Sequence, residues 1–460
     1  MKALFFLGLF FSFLLPAIDP DLGWQLKCGE LILKKQGFCS QNQFSSLLAD
    51  YHWTNHHWLY QTFLFSVWKK FGLWGLSIFN ALVVTAIFII FYLAINNYRL
   101  EKKLAAIFIL IFTWGVFSFG IRSQLLGIFY FTLVLFTLLK NNVPRYFLPL
   151  IFLLWANTHG SVVLGLAFLF LFSIKDFKKN YLIFFFSFLA VFVNPFGAKI
   201  FQEAWHHFTT AHLEKLIAEW VPPHPFKQII MLIGGILLIL ATNKKLLPTI
   251  AAFTFFALKA RRNPPFFLIL FFVLLFKNPF LKKWLSPWLK KKSLRKDLLI
   301  FTSILTFFFG LFFRLPQTIK INSSWQNYCQ ASSLSYPREA ITFLKNQSEK
   351  DLPAGQAGNL FNRYEWGGFL IWQLPEYKVF VDGRMPAWPT PSGKSPYTIY
   401  LETLQTQPGW QETLDNYHIN WILISPGTFM DLKLKPNPEE FGWSEAYRDK
   451  ISVVYKRKNN

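Results

Sequence analysis

Two carboxylates stand two residues apart in Asp19-Pro-Asp-Leu-Gly-Trp-Gln-Leu26, directly after the apolar run Leu4–Ile18. Such a pair at the mouth of an apolar helix can hold a divalent cation, Mg or Mn, or take a proton from an attacking hydroxyl or amide. Acids also simply mark helix ends at an interface, so the pair alone leaves both readings open. Further polar residues gather in short knots between apolar runs: Arg122 in Arg122-Ser-Gln124, Asn157 and His159 in Trp155-Ala-Asn-Thr-His-Gly160, and Asn194 in Asn194-Pro-Phe-Gly197. Glu219 follows in Ala218-Glu-Trp220, and Arg261 and Arg262 in Ala260-Arg-Arg-Asn263. A polar C-terminal stretch carries Glu365 in Phe361-Asn-Arg-Tyr-Glu-Trp-Gly-Gly368, and Asp382 with Arg384 in Val381-Asp-Gly-Arg384. His52, His56 and His57 include an i, i+4 spacing of the kind zinc sites use, but a polar, aromatic-rich loop produces such clusters by chance.

The elements that must position these residues are set by composition. Of 460 residues, 53% are hydrophobic, 20% aromatic and 15% charged, with 56 Phe. Soluble domains carry about 25% charged residues, so a soluble enzyme, a disordered chain and a coiled coil are excluded. Apolar runs at Leu4–Ile18, Leu73–Ile95, Leu104–Phe117, Leu125–Leu139, Tyr146–Ala156, Ser161–Ile174, Tyr181–Val193, Ile229–Ala241, Leu246–Leu258, Pro265–Phe276 and Leu298–Phe313 predict a polytopic α-helical membrane protein of about 11 transmembrane helices. Several runs fall short of the roughly 20 residues a crossing needs, so those helices borrow flanking residues. The first helix is read as uncleaved, with its N-terminus inside.

The formal net charge is +23. Under this topology Lys and Arg concentrate on the inner side, in Arg99-Leu-Glu-Lys-Lys103 and between Lys277 and Lys296, as the positive-inside rule requires. An anionic inner leaflet accounts for that charge without nucleic acid. Every polar knot then lies on the outer side. The organisation is a transmembrane domain, 1–313, with a large first outer loop, 19–72, a second outer loop, 194–227, that includes an amphipathic stretch (Phe201–Trp220), and a small extracytoplasmic α/β domain, 314–460. In that domain Pro337–Asn346 and Trp410–Tyr417 predict helices. Lys378–Val381 and Asn420–Ile424 predict strands, and Trp443–Arg448 with Ile451–Lys456 a hairpin. Asp351–Gly358 reads as a flexible loop. Cys28 and Cys39 share the first outer loop and could pair in an oxidising compartment, leaving Cys329, but without geometry all three are expected to be unpaired; internal repeats are absent.

The order of these motifs resembles a family of large bacterial membrane proteins assigned to the GT-C glycosyltransferase superfamily. Their first outer loop runs D-x-D-x-x-W-H-L, then G-x-x-I, then W-x-N-H-E-W-L. Here Gln25 stands at the usual His and His57 at the usual Glu, so no carboxylate role passes to position 57. The segment Asn362–Trp372 with Val381–Arg384 is also similar in pattern to the W-W-D-Y-G segment of oligosaccharyltransferase catalytic subunits. The resemblance implies an enzyme of the plasma (inner) membrane and cell envelope. It would transfer a sugar or glycan from a polyprenyl-phosphate-type lipid to a glycan, lipid or protein acceptor outside, protein glycosylation included. Asp19 and Asp21 would act as base or cation ligands. Independently of the resemblance, Arg122, Arg261 and Arg262 lie outside against the positive-inside pattern and, with His159, suit the donor phosphate, although Arg261 and Arg262 could equally snorkel to lipid headgroups. His56, His57, Asn157, Asn194, Glu219, Glu365, Asp382 and Arg384 would bind or support the acceptor. An O-antigen ligase or polymerase-like enzyme, using outer Arg and His, is an alternative. So is a lipid-linked glycan transporter, although a transporter is expected to show repeat symmetry and helices broken at mid-membrane.

Overall fold

The computed structural model describes residues 2–95, 103, 106–107, 120–140, 142–174, 177–209, 217–242, 244–277, 292–331, 335–347 and 355–458. The expected run Leu104–Phe117 therefore lies mostly outside the described residues. So do much of the inner basic loops and parts of Phe201–Trp220 and Asp351–Gly358. The chain forms two compact units: residues 1–17 with 71–319, and residues 18–70 with 320–460. The division differs from the sequence reading in one respect: the first outer loop compacts with the C-terminal segment and is no loop.

The first unit is helical. Its helices Ser123–Leu139, Leu148–Ala156, Val162–Ser173, Phe177–Val191, Pro225–Ala241, Leu247–Lys259 and Pro264–Lys277 follow the apolar runs closely. Proline in the first turn starts several of them, where its missing N–H costs nothing and its fixed φ suits the helix. Lys2–Ser12 packs on Lys292–Phe309. Gly8 and Gly310 make the approach possible, because a Cβ on either would strike backbone of the opposing segment. Ser12 Oγ donates to the Thr306 carbonyl at 3.1 Å across the same contact. The interior is aromatic: Phe131 sits 5.1 Å from Phe168, 5.4 Å from Phe253 and 5.3 Å from Phe266.

By length and composition two described helices can cross a membrane, Trp58–Ala94 and Ile300–Asn322. Seven other apolar helices run 10–17 residues. Eleven full-length crossings are thus not what the described residues display. Trp58–Ala94 is itself two helices joined at Gly72, whose φ of +59° is open to glycine at little cost. Phe185, Phe186, Ile233, Leu240, Phe301, Phe312 and Phe313 are exposed on the helical unit.

The second unit is α/β. Strands β1 (Asn359–Asn362), β2 (Lys378–Val379), β3 (Ile419–Ile424), β4 (Trp443–Arg448) and β5 (Val453–Arg457) form one sheet in the order β2-β1-β3-β5-β4. β1 is parallel to β2 and β3, and β5 antiparallel to β3 and β4. The first-loop segment around Ser45 extends the β2 edge: Val379 N–H donates to the Phe44 carbonyl and Ser46 N–H to the Val379 carbonyl, each at 2.9 Å. The helix Leu22–Leu33 lies on the helix Gly367–Gln373. A Cβ on Gly23 would strike the Gly368 carbonyl, and one on Gly368 the Pro20 carbonyl.

Cys28 and Cys39 form a disulfide with Cα atoms 5.5 Å apart, which corrects the expectation of three unpaired thiols. Lys35, Gly37 and Cys39 all take positive φ. They reverse the chain after Leu33 and return Cys39 to the helix, a turn that Cys spacing alone does not reveal. Cys329 is a buried thiol, pushed up to about 11 by burial.

Candidate functional site

An acidic cluster belongs to the α/β unit. Asp19 is 4% exposed, and its Oδ1 accepts the Asp21 amide at 2.9 Å. The Tyr336 hydroxyl donates to the Asp19 carbonyl oxygen at 3.4 Å. Burial, and after it the surrounding groups including the Asp19 charge, push the Tyr328 and Tyr336 phenols well above their ordinary range, so both stay neutral. Asp21 is half-exposed at the start of Leu22–Leu33. Its Oδ1 accepts the Trp24 indole N–H at 3.0 Å. A Cβ on Gly383 would collide with that same oxygen, so this glycine is what lets the Val381–Arg384 turn close over the carboxylate. Desolvation and then the Asp21 and Asp382 charges push the Tyr364 phenol well up. A neutral phenol therefore stands beside Asp21.

Asp382 and Arg384 form a buried, two-pronged pair. Arg384 Nε donates to Oδ1 and Nη2 to Oδ2, both at 2.7 Å, with side chains 0% and 1% exposed. Arg384 also donates to Asn42 Oδ1 at 3.2 Å, and Ser45 Oγ donates to that oxygen at 2.7 Å. Phe44, Trp53 and Trp388 flank the guanidinium at 5.0, 5.9 and 5.4 Å. Asn362 holds the same turn, donating to the Val381 carbonyl at 2.9 Å and accepting from Phe380 N–H at 2.8 Å. Arg363 ties the half-buried Glu365 at 2.8 Å and Ser425 at 2.9 Å.

A basic cluster belongs to the helical unit. Arg122 caps the start of Ser123–Leu139 in an extended conformation and pairs with Glu219. Gln124 Nε2 donates to the Arg262 carbonyl at 2.7 Å, and Arg261 N–H to the Val221 carbonyl at 2.9 Å. These two bonds bring three sequence-distant knots to one helix end. The Arg262 guanidinium stands 5.0 Å over the Trp220 ring, with His207 stacked at 6.1 Å from the same ring. Desolvation, and then repulsion from Arg122, pull Arg262 down to about 10. Desolvation lowers the His207 imidazole and raises the Glu203 carboxyl. Arg261 is exposed.

His159 belongs to the same unit. Ser161 donates to its Nδ1 from N–H at 3.0 Å and from Oγ at 2.7 Å, while the Trp155 indole donates to Ser161 Oγ at 3.0 Å. With Nδ1 accepting, the neutral ring carries its proton on Nε2. A Cβ at Gly127 would meet Ser161 Oγ and His159 Nδ1. The His159 turn therefore packs about one helical turn beyond Gln124.

Two groups of solved structures share this architecture. One is archaeal oligosaccharyltransferase AglB from Archaeoglobus fulgidus, in complex with an inhibitory peptide and a dolichol-phosphate. It matches 92% of this chain and 69% of its own at a TM-score of 0.60 and 10% identity. The other is ArnT from Cupriavidus metallidurans. Its undecaprenyl-phosphate-bound form matches 99% of this chain and 96% of its own (TM-score 0.50, 11% identity). Its apo form matches 97% and 95% (TM-score 0.51, 12% identity). The fold is that of the GT-C glycosyltransferases. No protein-family model and no curated protein sequence matches the chain.

Within this fold, several of the expected site residues also make local contacts. Asn157 Nδ2 donates to the Leu153 and Val193 carbonyls at 2.8 and 2.9 Å, and Asn194 Oδ1 accepts Phe196 N–H at 2.7 Å. His56 and His57 have ring centroids 4.0 Å apart, with His56 Nδ1 3.2 Å from the Thr54 carbonyl. Among the described residues no group of three or more His, Cys, Asp or Glu could hold a metal ion. A cation on Asp19 and Asp21 would thus draw most of its shell from water or phosphate. Asn42, Ser45 and the reciprocal amide pair of Asn55 with Gln61 (2.8 and 3.0 Å) carry no local signal that marks them.

Proposed function

We propose that the protein is an integral-membrane GT-C-type glycosyltransferase of the plasma (inner) membrane. It transfers a sugar or glycan from a polyprenyl-phosphate-type lipid to an acceptor on the extracytoplasmic side. The observation that carries this reading is Asp21, a half-exposed carboxylate oriented by Trp24 and crowded by Gly383, on a chain whose fold is GT-C. The dolichol-phosphate of AglB and the undecaprenyl phosphate of ArnT support a polyprenyl donor. The outward apolar side chains of the helical unit support a bilayer around it, and the Cys28–Cys39 disulfide suits an oxidising compartment for the α/β unit.

In this reaction Asp21 takes the proton of the acceptor hydroxyl or amide, whose heteroatom forms a bond to the sugar C1. The bond from C1 to the donor phosphate breaks, and the phosphate leaves with its electron pair. For the donor phosphate we assign Arg122 and Arg262 of the helical unit, whose guanidiniums suit such an anion. Asp19 acts through Asp21: its Oδ1 fixes the Asp21 amide, and with it the carboxylate's direction. Tyr364, held neutral by burial and then by the Asp21 charge, adds no charge of its own beside that carboxylate.

The test is transfer from an undecaprenyl-phosphate-linked sugar by protein in lipid nanodiscs. Asp21→Asn is expected to lose roughly 10²–10⁴-fold in rate with no change in melting temperature. Full activity in that variant would overturn the assignment.

A further inference from the structure

We propose that Glu219 is an internal stand-in for the lipid phosphate that leaves the donor: its carboxylate occupies the Arg122 guanidinium until that phosphate monoester, a polyprenyl phosphate, displaces it. This rests on the assignment of Arg122 to the donor phosphate and adds a screening step to it.

The pair is built to be exchanged. The Arg122 and Glu219 side chains are 28% and 30% exposed, and ion pairs this open contribute little to stability. Arg122 and Arg262 repel each other, and Glu219 brings one negative charge to the two of them. Glu203 lies 3.3 Å from His207 on its own helix and is held toward its neutral form by desolvation. A phosphate dianion brings twice the charge of Glu219 and three oxygens, which suits two guanidiniums better. Arg122 also caps a helix of 17 residues, whose N-terminal dipole favours an anion there.

Glu219 has a hinge and leaves a trace when it moves. Val221 is anchored by the Arg261 amide at 2.9 Å, and Pro222 and Pro223 follow. Trp220, between anchor and carboxylate, lies between Arg262 and His207. Displacing Glu219 must disturb that stack. A ligand without the charge to win Arg122 gains nothing there, so Glu219 selects phosphorylated lipid against the free polyprenol.

The experiment measures undecaprenyl phosphate affinity in nanodiscs, with undecaprenol and inorganic phosphate as competitors, for the wild type, Glu219→Gln, Arg122→Ala and the double variant. Glu219→Gln should tighten undecaprenyl phosphate about tenfold. Arg122→Ala should weaken it by a similar factor, and the double variant should match Arg122→Ala, because Glu219 acts only through Arg122. Glu219→Asp, one methylene shorter, should shift affinity in the same direction by less, and serves if the Gln variant does not fold. In fluorotryptophan-labelled protein, the ¹⁹F signal lost in Trp220→Phe should shift on binding. Equal competition by inorganic phosphate would keep the stand-in but assign it to a free anion. Unchanged or weaker binding by Glu219→Gln, with wild-type binding intact, overturns the stand-in and leaves the transferase reading standing. If Arg122→Ala binds the lipid as the wild type does, the phosphate assignment itself falls.

Discussion

Arg384 and Arg122 each pair with a carboxylate, in different units and by opposite designs. Arg384 is sealed in: both prongs are used on Asp382, Asn42 accepts a further bond, and three aromatic rings close around it. Arg122 sits at a helix end, pairs with the part-exposed Glu219 and feels a second guanidinium, that of Arg262. Burying a charge costs several kcal/mol unless every partner is in place, and the cost of losing one partner grows with burial. The Asp382–Arg384 pair is therefore scaffold, fixing the turn whose Gly383 presses on Asp21. The Arg122–Glu219 pair is part-exposed, and it is the one proposed to give way to a ligand. Two arginine–carboxylate pairs differ in this way because solvent reaches one and not the other.

The comparison breaks most visibly in stability. Asp382→Ala and Arg384→Ala should each cost about 3–5 kcal/mol, because each leaves a buried charge unpaired. Arg384→Lys should recover little, since an ammonium cannot reproduce the two-pronged contact. Arg122→Ala should cost under about 1 kcal/mol while losing transfer activity. Thermal melts of the four variants in one detergent decide the matter: if Arg122→Ala melts as low as Arg384→Ala, the two pairs are not different in kind.

The next effect concerns how the acidic cluster is pinned. The disulfide closes a separation of 11 residues beside Asp21's helix, and removing a cross-link over so short a loop costs about 2–3 kcal/mol. Cys28→Ser with Cys39→Ser should lower the melting transition of the α/β unit and reduce transfer, yet leave undecaprenyl phosphate affinity near the wild-type value. A parallel loss of lipid affinity would tie Cys28–Cys39 to the basic cluster and remove the contrast.

Acid should separate the units as well. Asp431 is buried, which alone would raise its carboxyl. Hydrogen bonds from Arg448, the Gly427 amide and Tyr455 outweigh that and hold it below 3.8. A depressed folded-state value adds stability above the unfolded value and loses it as pH falls through the folded one. The α/β unit should thus weaken below about pH 4, and Asp431→Asn should remove that part of the pH dependence. Tryptophan fluorescence followed through an acid titration of both proteins checks the sign.

Helix positions were the most legible feature, because lipid-compatible runs and first-turn prolines mark both ends of a helix. The hairpin of β4 and β5 was legible from alternation. The helix Leu22–Leu33 was not: it is buried on several sides and holds two glycines, so no amphipathic stripe distinguishes it from a loop. Arg384's bonds to Asn42 and Ser45 span 342 and 339 positions, and no local pattern reports a contact that distant. Candidate residues could be read by type, but their roles depend on burial. Asn157 and Asn194 stand in polar motifs in the sequence, and in the fold their side chains bond backbone groups of nearby turns.

Asp19 and Asp21 show that dependence at its finest scale, and the smallest predicted effect tests it. The two stand together in the sequence as equivalent acids. In the fold Asp19 is enclosed and spends Oδ1 on the Asp21 amide, while Asp21 remains half-exposed. An asparagine at 19 keeps a carbonyl oxygen that can accept the same amide, so Asp19→Asn should slow transfer by less than about tenfold, equivalent to under 1.4 kcal/mol of barrier. Asp19→Ala removes the acceptor and should slow it further, chiefly through kcat, because the carboxylate at 21 loses its direction and the acceptor keeps its contacts. Ranking the rates Asp19→Asn, then Asp19→Ala, then Asp21→Asn from fastest to slowest is the expected outcome. If Asp19→Asn is as inactive as Asp21→Asn, the charge at 19 is itself required, and the pair acts as one acid–base or cation-binding unit rather than as a base and its support.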